Sequence, residues 1–175
     1  MLLPNHAAPG RAATDACRLG ALAALLFLAA VPRAAHSATE GPFAALHGNW
    51  TGSGVIKKAN GSSERIRCRS NYEPAGVLNL QLRLRCASDS YNFDLSARVS
   101  YQGGAISGSW NETTRQVGGT IQGRDSGNGR EIQAAASGPG FSANLTLTTR
   151  GEHQSVVILS PGSEVPEVNI TLDRH

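Results

Sequence analysis

The sequence predicts an all-β protein, an antiparallel meander of about ten strands that closes into an up-and-down barrel. Three observations favour this fold. Apolar and polar residues alternate with a period of two along most of the chain, and Gly, Pro and Asn interrupt the alternation about every ten residues. Charged residues make up only 17% of the 175 residues, a composition unlike that of a coiled coil or helical bundle.

The alternation defines the strands. It has no exception over residues 78–86, and residues 92–101, 141–148 and 168–172 follow the same rule. Short turns such as Asn60-Gly61 join antiparallel neighbours, because a parallel crossover needs a dozen or more residues. We therefore predict strands at about 48–57, 63–72, 78–87, 91–101, 105–111, 116–124, 130–136, 141–149, 153–160 and 165–173.

The alternation predicts that the sheet closes into a barrel. Each strand buries one side only, and an open meander would leave two unpaired edges. A closed barrel has no edge, whereas a two-sheet sandwich is the alternative. Glycines within strands suit bends and close approaches in a barrel, namely Gly52, Gly54, Gly108, Gly118, Gly119 and Gly123. Residues 42–46 are the one candidate for a helical turn before the first strand.

Residues 1–38 have the pattern of a secretory signal peptide. Arg11 and Arg18 precede an apolar run at 19–31, and small residues around Ser37 and Ala38 provide the cleavage site. The run would span about 20 Å as a helix, too short for a hydrocarbon core of about 30 Å, although an uncleaved anchor is the alternative. We expect a lead-in at 39–47, a barrel at 48–175, and a periplasmic or secreted product without a transmembrane segment.

Cys68 and Cys86 are the two cysteines that remain after removal of this segment. A hairpin turn centred on Val77 places them directly opposite each other, with both side chains on the apolar face of their strands. Metal sites usually add nearby Cys or His ligands, and none occur here. An even pair in an exported protein therefore predicts a disulfide.

The chain lacks the residue patterns of common enzymes. Beyond residue 38 it has three histidines, His47, His153 and His175, and its carboxylates are scattered singly. It contains no His-Glu-x-x-His or Gly-x-Ser-x-Gly motif and no phosphate-binding glycine loop. We therefore predict no catalytic residue, metal or cofactor.

Five arginines form a candidate binding surface, which we call the arginine face: Arg65, Arg67, Arg69, Arg83 and Arg85. They occupy alternate positions on two paired strands, and Arg69 opposes Arg85 on the side away from the leucines. Opposed like charges are unfavourable, so the cluster favours an anionic partner, and a solvated outer face is the alternative. The barrel region itself is nearly neutral, so a nucleic-acid partner is not implied.

Residues 46–54, Leu-His-Gly-Asn-Trp-Thr-Gly-Ser-Gly, resemble the Gly-x-Trp-x-Gly-x-Gly opening of calycin-like barrels, most closely the nitrobindin type and also lipocalins and avidins. This resemblance implies that Trp50 plugs one barrel end. Nitrobindin-like proteins bind haem through a late histidine, a role that would fall to His153 or His175. Residues 106–113 are similar to uncharacterised exported proteins of alphaproteobacteria, which have no assigned activity.

The sequence thus predicts an exported, monomeric, non-enzymatic binding protein that holds a small apolar ligand inside a barrel. The candidate cavity residues are Trp50, Leu80, Leu82, Phe93, Leu95 and Phe141. The alternative is an interaction or inhibitor protein with a filled interior. It would use its rim loops and the arginine face to bind an anionic lipid or protein surface.

Overall fold

Ten antiparallel strands pair in chain order, and β1 also pairs with β10 to close the barrel. The computed structural model describes residues 41–175. A 3₁₀ helix, Ala44–Leu46, precedes the strands β1 (Gly48–Lys57), β2 (Ser63–Pro74), β3 (Asn79–Ala87), β4 (Asn92–Gln102), β5 (Ala105–Glu112), β6 (Val117–Asp125), β7 (Glu131–Gly138), β8 (Phe141–Arg150), β9 (His153–Leu159) and β10 (Glu167–Arg174). The predicted barrel is confirmed, and every strand begins and ends within two residues of its predicted position.

Closure rests on the pairing of the first strand with the last. The register runs from Trp50 opposite Arg174 to Lys57 opposite Glu167. At the far end of this seam the Lys57 ammonium lies 2.9 Å from the Glu167 carboxylate. Because every strand has two neighbours, the barrel has no unpaired edge that could recruit another chain by strand addition.

Two strand glycines show why this barrel needs residues without side chains. A Cβ atom at Gly52 would overlap the carbonyl oxygen of Thr171 on β10, and one at Gly119 would overlap the carbonyl oxygen of Ser137 on β7. The glycines therefore allow neighbouring backbones to approach closely where the sheet curves, as predicted for these positions.

The lead-in segment and Trp50 close one end of the barrel. Phe43 and Leu46 are buried, and the indole N–H of Trp50 donates a 2.8 Å hydrogen bond to the carbonyl oxygen of Leu46. The Arg174 guanidinium stacks 4.5 Å from the centre of the indole ring. We call this the closed end. The end that carries the β1–β2, β3–β4, β5–β6, β7–β8 and β9–β10 turns is the open end.

The disulfide is present and joins β2 to β3. Cys68 pairs directly with Cys86 in the predicted register, and both cysteines are buried. The same register places Arg69 opposite Arg85 on the outer surface. Hairpin geometry and the alternation of side chains were therefore enough to predict both pairs.

The predicted signal peptide lies outside the described residues. Within residues 41–175, no helix has the length and apolar character that a membrane span requires.

Candidate functional site

The barrel interior contains two cavities that share part of their lining. The inner chamber lies toward the closed end and has a volume of about 140 Å³. The outer chamber lies toward the open end and has a volume of about 260 Å³. Four side chains line both chambers and mark the passage between them: Phe93, Trp110, Phe141 and Ile158.

The inner chamber is lined almost entirely by apolar side chains. Its walls contain five of the six predicted cavity residues, namely Leu80, Leu82, Phe93, Leu95 and Phe141. The strands β7 and β8 contribute small side chains to the same wall, among them Ala134, Ala136 and Ala143. These alanines leave room that larger residues would fill, so this part of the interior is not packed solid.

The sixth predicted residue, Trp50, lies in the closed end and lines neither chamber. It is fully buried and packs edge-on against Tyr72, with ring centres 6.4 Å apart. The second tryptophan, Trp110, is the one that borders the cavity. Trp50 thus has the end-plugging position that the resemblance implied, and Trp110 lies in the wall of both chambers.

Trp110 fits at the passage because its neighbours are small. It stands opposite Gly119 across the β5–β6 pair, and its ring also lies against Gly138. The indole packs at a tilt against Phe141 with ring centres 5.3 Å apart, and its N–H points to the Ser137 carbonyl oxygen at 3.3 Å. The aromatic pair therefore narrows the cavity from one side.

The polar groups of the cavity are concentrated in the outer chamber. Its lining includes Tyr91, Glu112, Arg115 and Glu164, which come from β5 and from three turns of the open end. The Arg115 guanidinium stacks 4.5 Å from the centre of the Tyr91 ring, and 42% of its side chain remains exposed. The cavity thus changes from apolar at depth to hydrogen-bonding at its mouth.

Glu112 is a buried carboxylate with an almost complete set of partners. It accepts hydrogen bonds from the backbone N–H groups of Asp94 at 3.0 Å, Thr114 at 2.9 Å and Arg115 at 2.8 Å. Burial raises the pKa of its carboxyl, but these donors outweigh burial and hold the pKa below its ordinary value. Glu112 therefore stays ionised and fixes the β5–β6 turn that carries Arg115.

Arg115, which pairs with Glu112 at the mouth of the cavity, is more exposed than Glu112. Its guanidinium lies 3.5 Å from the Glu112 carboxylate and donates to the Asn92 carbonyl oxygen at 3.2 Å. A guanidinium has five N–H donors, and its contacts within residues 41–175 use only part of this set. Glu164 lines the same mouth and adds a second carboxylate. The mouth can bind a polar group by charge and by hydrogen bonds.

The histidines do not fit the haem role that the resemblance implied. None of His47, His153 and His175 lines either chamber. His153 lies outside the barrel with its ring 2.6 Å from the Asp173 carboxylate, and His175 contacts the Thr51 hydroxyl. Among residues 41–175, no group of three or more His, Cys, Asp or Glu side chains could hold a metal ion. The cavity therefore offers no histidine ligand to a haem iron.

The arginine face lies on the outer side of β2 and β3, and none of its five arginines lines either chamber. All five side chains are exposed. The two candidate sites of the sequence are therefore separate, one inside the barrel and one on its surface.

Sequence reasoning missed the residues of the mouth. Arg115 and Glu164 lie in turns between strands, where period-two alternation does not indicate which way a side chain points. Tyr91 was placed at the start of a predicted strand, whereas in the structure it belongs to the turn that precedes β4. The interior position of Glu112 follows from that of Trp110 two residues earlier on β5, which was the available signal.

Comparisons with known proteins support the fold. No protein-family model matches the chain, and no curated protein matches its sequence. The structure is similar to that of Rv2717c from M. tuberculosis, with a TM-score of 0.62 and 12% identity, over 75% of this chain and 93% of that one. It is also similar to the S-type phycobiliprotein lyase CPES from Guillardia theta, with a TM-score of 0.54 and 7% identity, over 76% and 90% of the two chains. These likenesses extend to the fold, a closed antiparallel β-barrel.

Proposed function

We propose that the chain is an exported, monomeric, non-enzymatic binding protein that holds one small ligand inside its barrel. The cavity carries this proposal, because it continues from an apolar inner chamber to a mouth lined by hydrogen-bonding groups. Ligand sites in proteins are mostly apolar concavities with a few placed polar groups, and this cavity has that character.

The shape of the cavity indicates the kind of ligand. An engineered cavity of about 150 Å³ lined by Leu, Ile and Phe stays dry and binds benzene. The inner chamber, at about 140 Å³, therefore suits a group the size of one aromatic ring. The larger outer chamber suits the rest of an apolar body, and Arg115 and Glu164 suit a polar group at its end.

Export and lack of catalysis are parts of the same proposal. The disulfide suits an oxidising compartment, which supports a periplasmic or extracellular location for a chain that begins with a signal-like segment. One structural neighbour is named a lyase, but a likeness at 7% identity extends to the fold alone. The scattered carboxylates and surface histidines support a binding role over a catalytic one.

Native mass spectrometry of the protein, purified without denaturant from its own host, tests this function. We expect a mass above that of the polypeptide, lost on denaturation, together with saturable binding of the apolar fluorophore 8-anilinonaphthalene-1-sulfonate by the stripped protein. A visible absorption band would reveal a coloured ligand. A polypeptide mass alone, combined with no saturable binding of the fluorophore, would contradict the proposal.

A further inference from the structure

The arginine face is part of a longer row of cations on the outer wall. Arg65, Arg67 and Arg69 alternate along β2, and Arg83 and Arg85 do so along β3. Arg98 on β4 extends the row, because it stands opposite Gln81, two residues from Arg83. Cross-strand pairing brings Arg69 directly opposite Arg85. Six exposed guanidiniums therefore form one continuous diagonal on three neighbouring strands.

The protein neutralises little of this charge itself. Among residues 41–175, the one ion pair made by these six arginines joins Arg85 Nε to the Asp94 carboxylate at 2.9 Å. On the side of β1, the outward residues opposite the arginines are Thr51, Ser53 and Val55, which carry no charge. The row therefore keeps a surplus of positive charge that an anionic partner could balance.

The nearby glutamates do not remove this surplus. Glu64 lies 2.6 Å from the Lys58 ammonium, and Glu167 lies 2.9 Å from that of Lys57. Glu73, at the end of β2, stands opposite Gln81 and forms no ion pair with any described residue. Two of these three glutamates are thus held by lysines, and the third makes no ion pair with the row.

The spacing of the row identifies a partner. Residues two apart on a strand stand about 6.8 Å apart, at about 3.4 Å per residue, so the arginines of β2 repeat at that interval. Alternate side chains of any extended peptide repeat at the same interval. Carboxylates also suit guanidinium groups, because the two can form paired hydrogen bonds. One carboxylate already binds the row, since Arg85 Nε donates a single 2.9 Å hydrogen bond to Asp94.

We propose that the arginine face, extended by Arg98, binds an extended acidic segment of a partner protein in which Asp or Glu occupies every second position. Acidic residues at three alternate positions would face Arg65, Arg67 and Arg69 together. A shallow surface depression lined by Gln81, Arg98 and Ser100 adjoins the Arg98 end of the row and leaves room for the rest of the segment. This function is separate from ligand binding inside the barrel.

Two peptides of identical composition test the spacing. In one, glutamate and serine alternate; in the other, pairs of glutamates alternate with pairs of serines, which doubles the distance between carboxylates on the same side of the extended chain. We expect the alternating peptide to bind on the order of tenfold more tightly in isothermal titration calorimetry at low ionic strength. We also expect added salt to weaken its binding.

A matched pair of variants tests the location. The triple variant Arg67→Gln, Arg69→Gln, Arg83→Gln should lose most of the affinity for the alternating peptide. The control variant Arg124→Gln, Arg130→Gln, Arg150→Gln removes the same charge from exposed arginines elsewhere and should keep it. The three arginines replaced in each variant are exposed, so both variants should fold. Circular dichroism would verify this.

Three results would overturn the inference. Equal affinity for the two peptides would reduce the effect to unspecific charge attraction. Equal losses in both triple variants would place the binding elsewhere on the surface. Binding to vesicles of phosphatidylglycerol and phosphatidylcholine, with no binding of either peptide, would assign the row to a membrane. None of these results depends on whether the interior cavity holds a ligand.

Discussion

Tyr72 shows how one polar group is accommodated at the closed end. Its side chain is buried, and its hydroxyl donates a 2.7 Å hydrogen bond to the amide oxygen of Gln154. The Gln154 amide in turn donates to the Thr149 hydroxyl at 3.3 Å. Burial raises the pKa of Tyr72 to about 12, and hydrogen bonding offsets this only in part. The phenol is therefore held in its neutral form.

The raised pKa of Tyr72 predicts a loss of stability in alkali. In the unfolded chain the phenol has a pKa of about 10, so its contribution to stability is complete below pH 10 and is lost as the pH rises through 12. Tyr72→Phe should make the free energy of unfolding less dependent on pH between these values, as measured by urea denaturation. Tyr101→Phe is the control. An unchanged pH dependence in Tyr72→Phe would contradict the prediction.

Glu112 shows how a buried charge can hold a turn in place. Its three backbone donors come from residues on either side of the β4–β5 pair, so the carboxylate ties the β5–β6 turn to the start of β4. A carboxylate can satisfy several N–H groups at once, which a neutral apolar residue cannot. Its side chain thereby sets the place of Arg115 at the mouth of the cavity.

The β2–β3 hairpin has separate roles on its two faces. Inward, it carries the disulfide and the leucines that border the inner chamber; outward, it carries the arginine face. A shift of the register by one residue would exchange the two faces and separate the cysteines. The disulfide therefore holds in place the alignment on which both candidate sites depend.

Removal of the disulfide should cost stability without loss of the fold. The variant Cys68→Ala, Cys86→Ala frees a loop whose ends are 18 residues apart, which should lower the free energy of unfolding by about 3 kcal/mol. Urea denaturation followed by tryptophan fluorescence measures this change. Reduction of the wild-type protein by dithiothreitol should reproduce the loss, and the variant should not respond to it. Equal stability of wild type and variant would disagree with this account.

At the scale of the whole molecule, closure of the barrel produces two different ends. The 3₁₀ helix, Trp50 and Arg174 seal one end, whereas turns with polar side chains surround the other. The interior between them is filled by large side chains near the seal and left partly empty beside the alanines of β7 and β8. Under the proposed function, the ligand would enter from the end with the turns and rest against the apolar side chains of the inner chamber.

The cavity predicts opposite effects for two neighbouring alanines. Ala136→Leu should fill the inner chamber and weaken binding of 8-anilinonaphthalene-1-sulfonate by on the order of tenfold, because Ala136 is buried and lines that chamber. Ala135→Leu places the same side chain on the exposed outer face of β7 and should leave affinity unchanged. Fluorescence titration measures both.

Overpacking can also destabilise a core by about 1–3 kcal/mol, so thermal unfolding of both variants should accompany the titration. Leu145→Ala provides a second test, because it enlarges the chamber instead of filling it and should keep or increase the bound fraction. Equal affinities of the Ala136→Leu and Ala135→Leu proteins would place the fluorophore outside the inner chamber.

Much of the architecture could be predicted from local pattern. The strands, the register of β2 with β3, the disulfide and five of the six predicted cavity residues follow from alternation and turn length, which act over a few residues. The position of Trp50 away from the cavity could not be read from alternation. Its side chain points inward like those of the leucines, but the lead-in segment covers it at the closed end.

The strands, the closure of the meander, the hairpin pairing and the apolar face of each strand follow from the sequence, because alternation and turn length depend on neighbours close in the chain. The register of β1 against β10, the division of the interior into two chambers and the meeting of Tyr91, Glu112, Arg115 and Glu164 at the mouth arise only in the folded barrel. These features join residues far apart in the chain. They depend on how the side chains of all ten strands pack together in the interior, and a pattern within one strand does not contain that information.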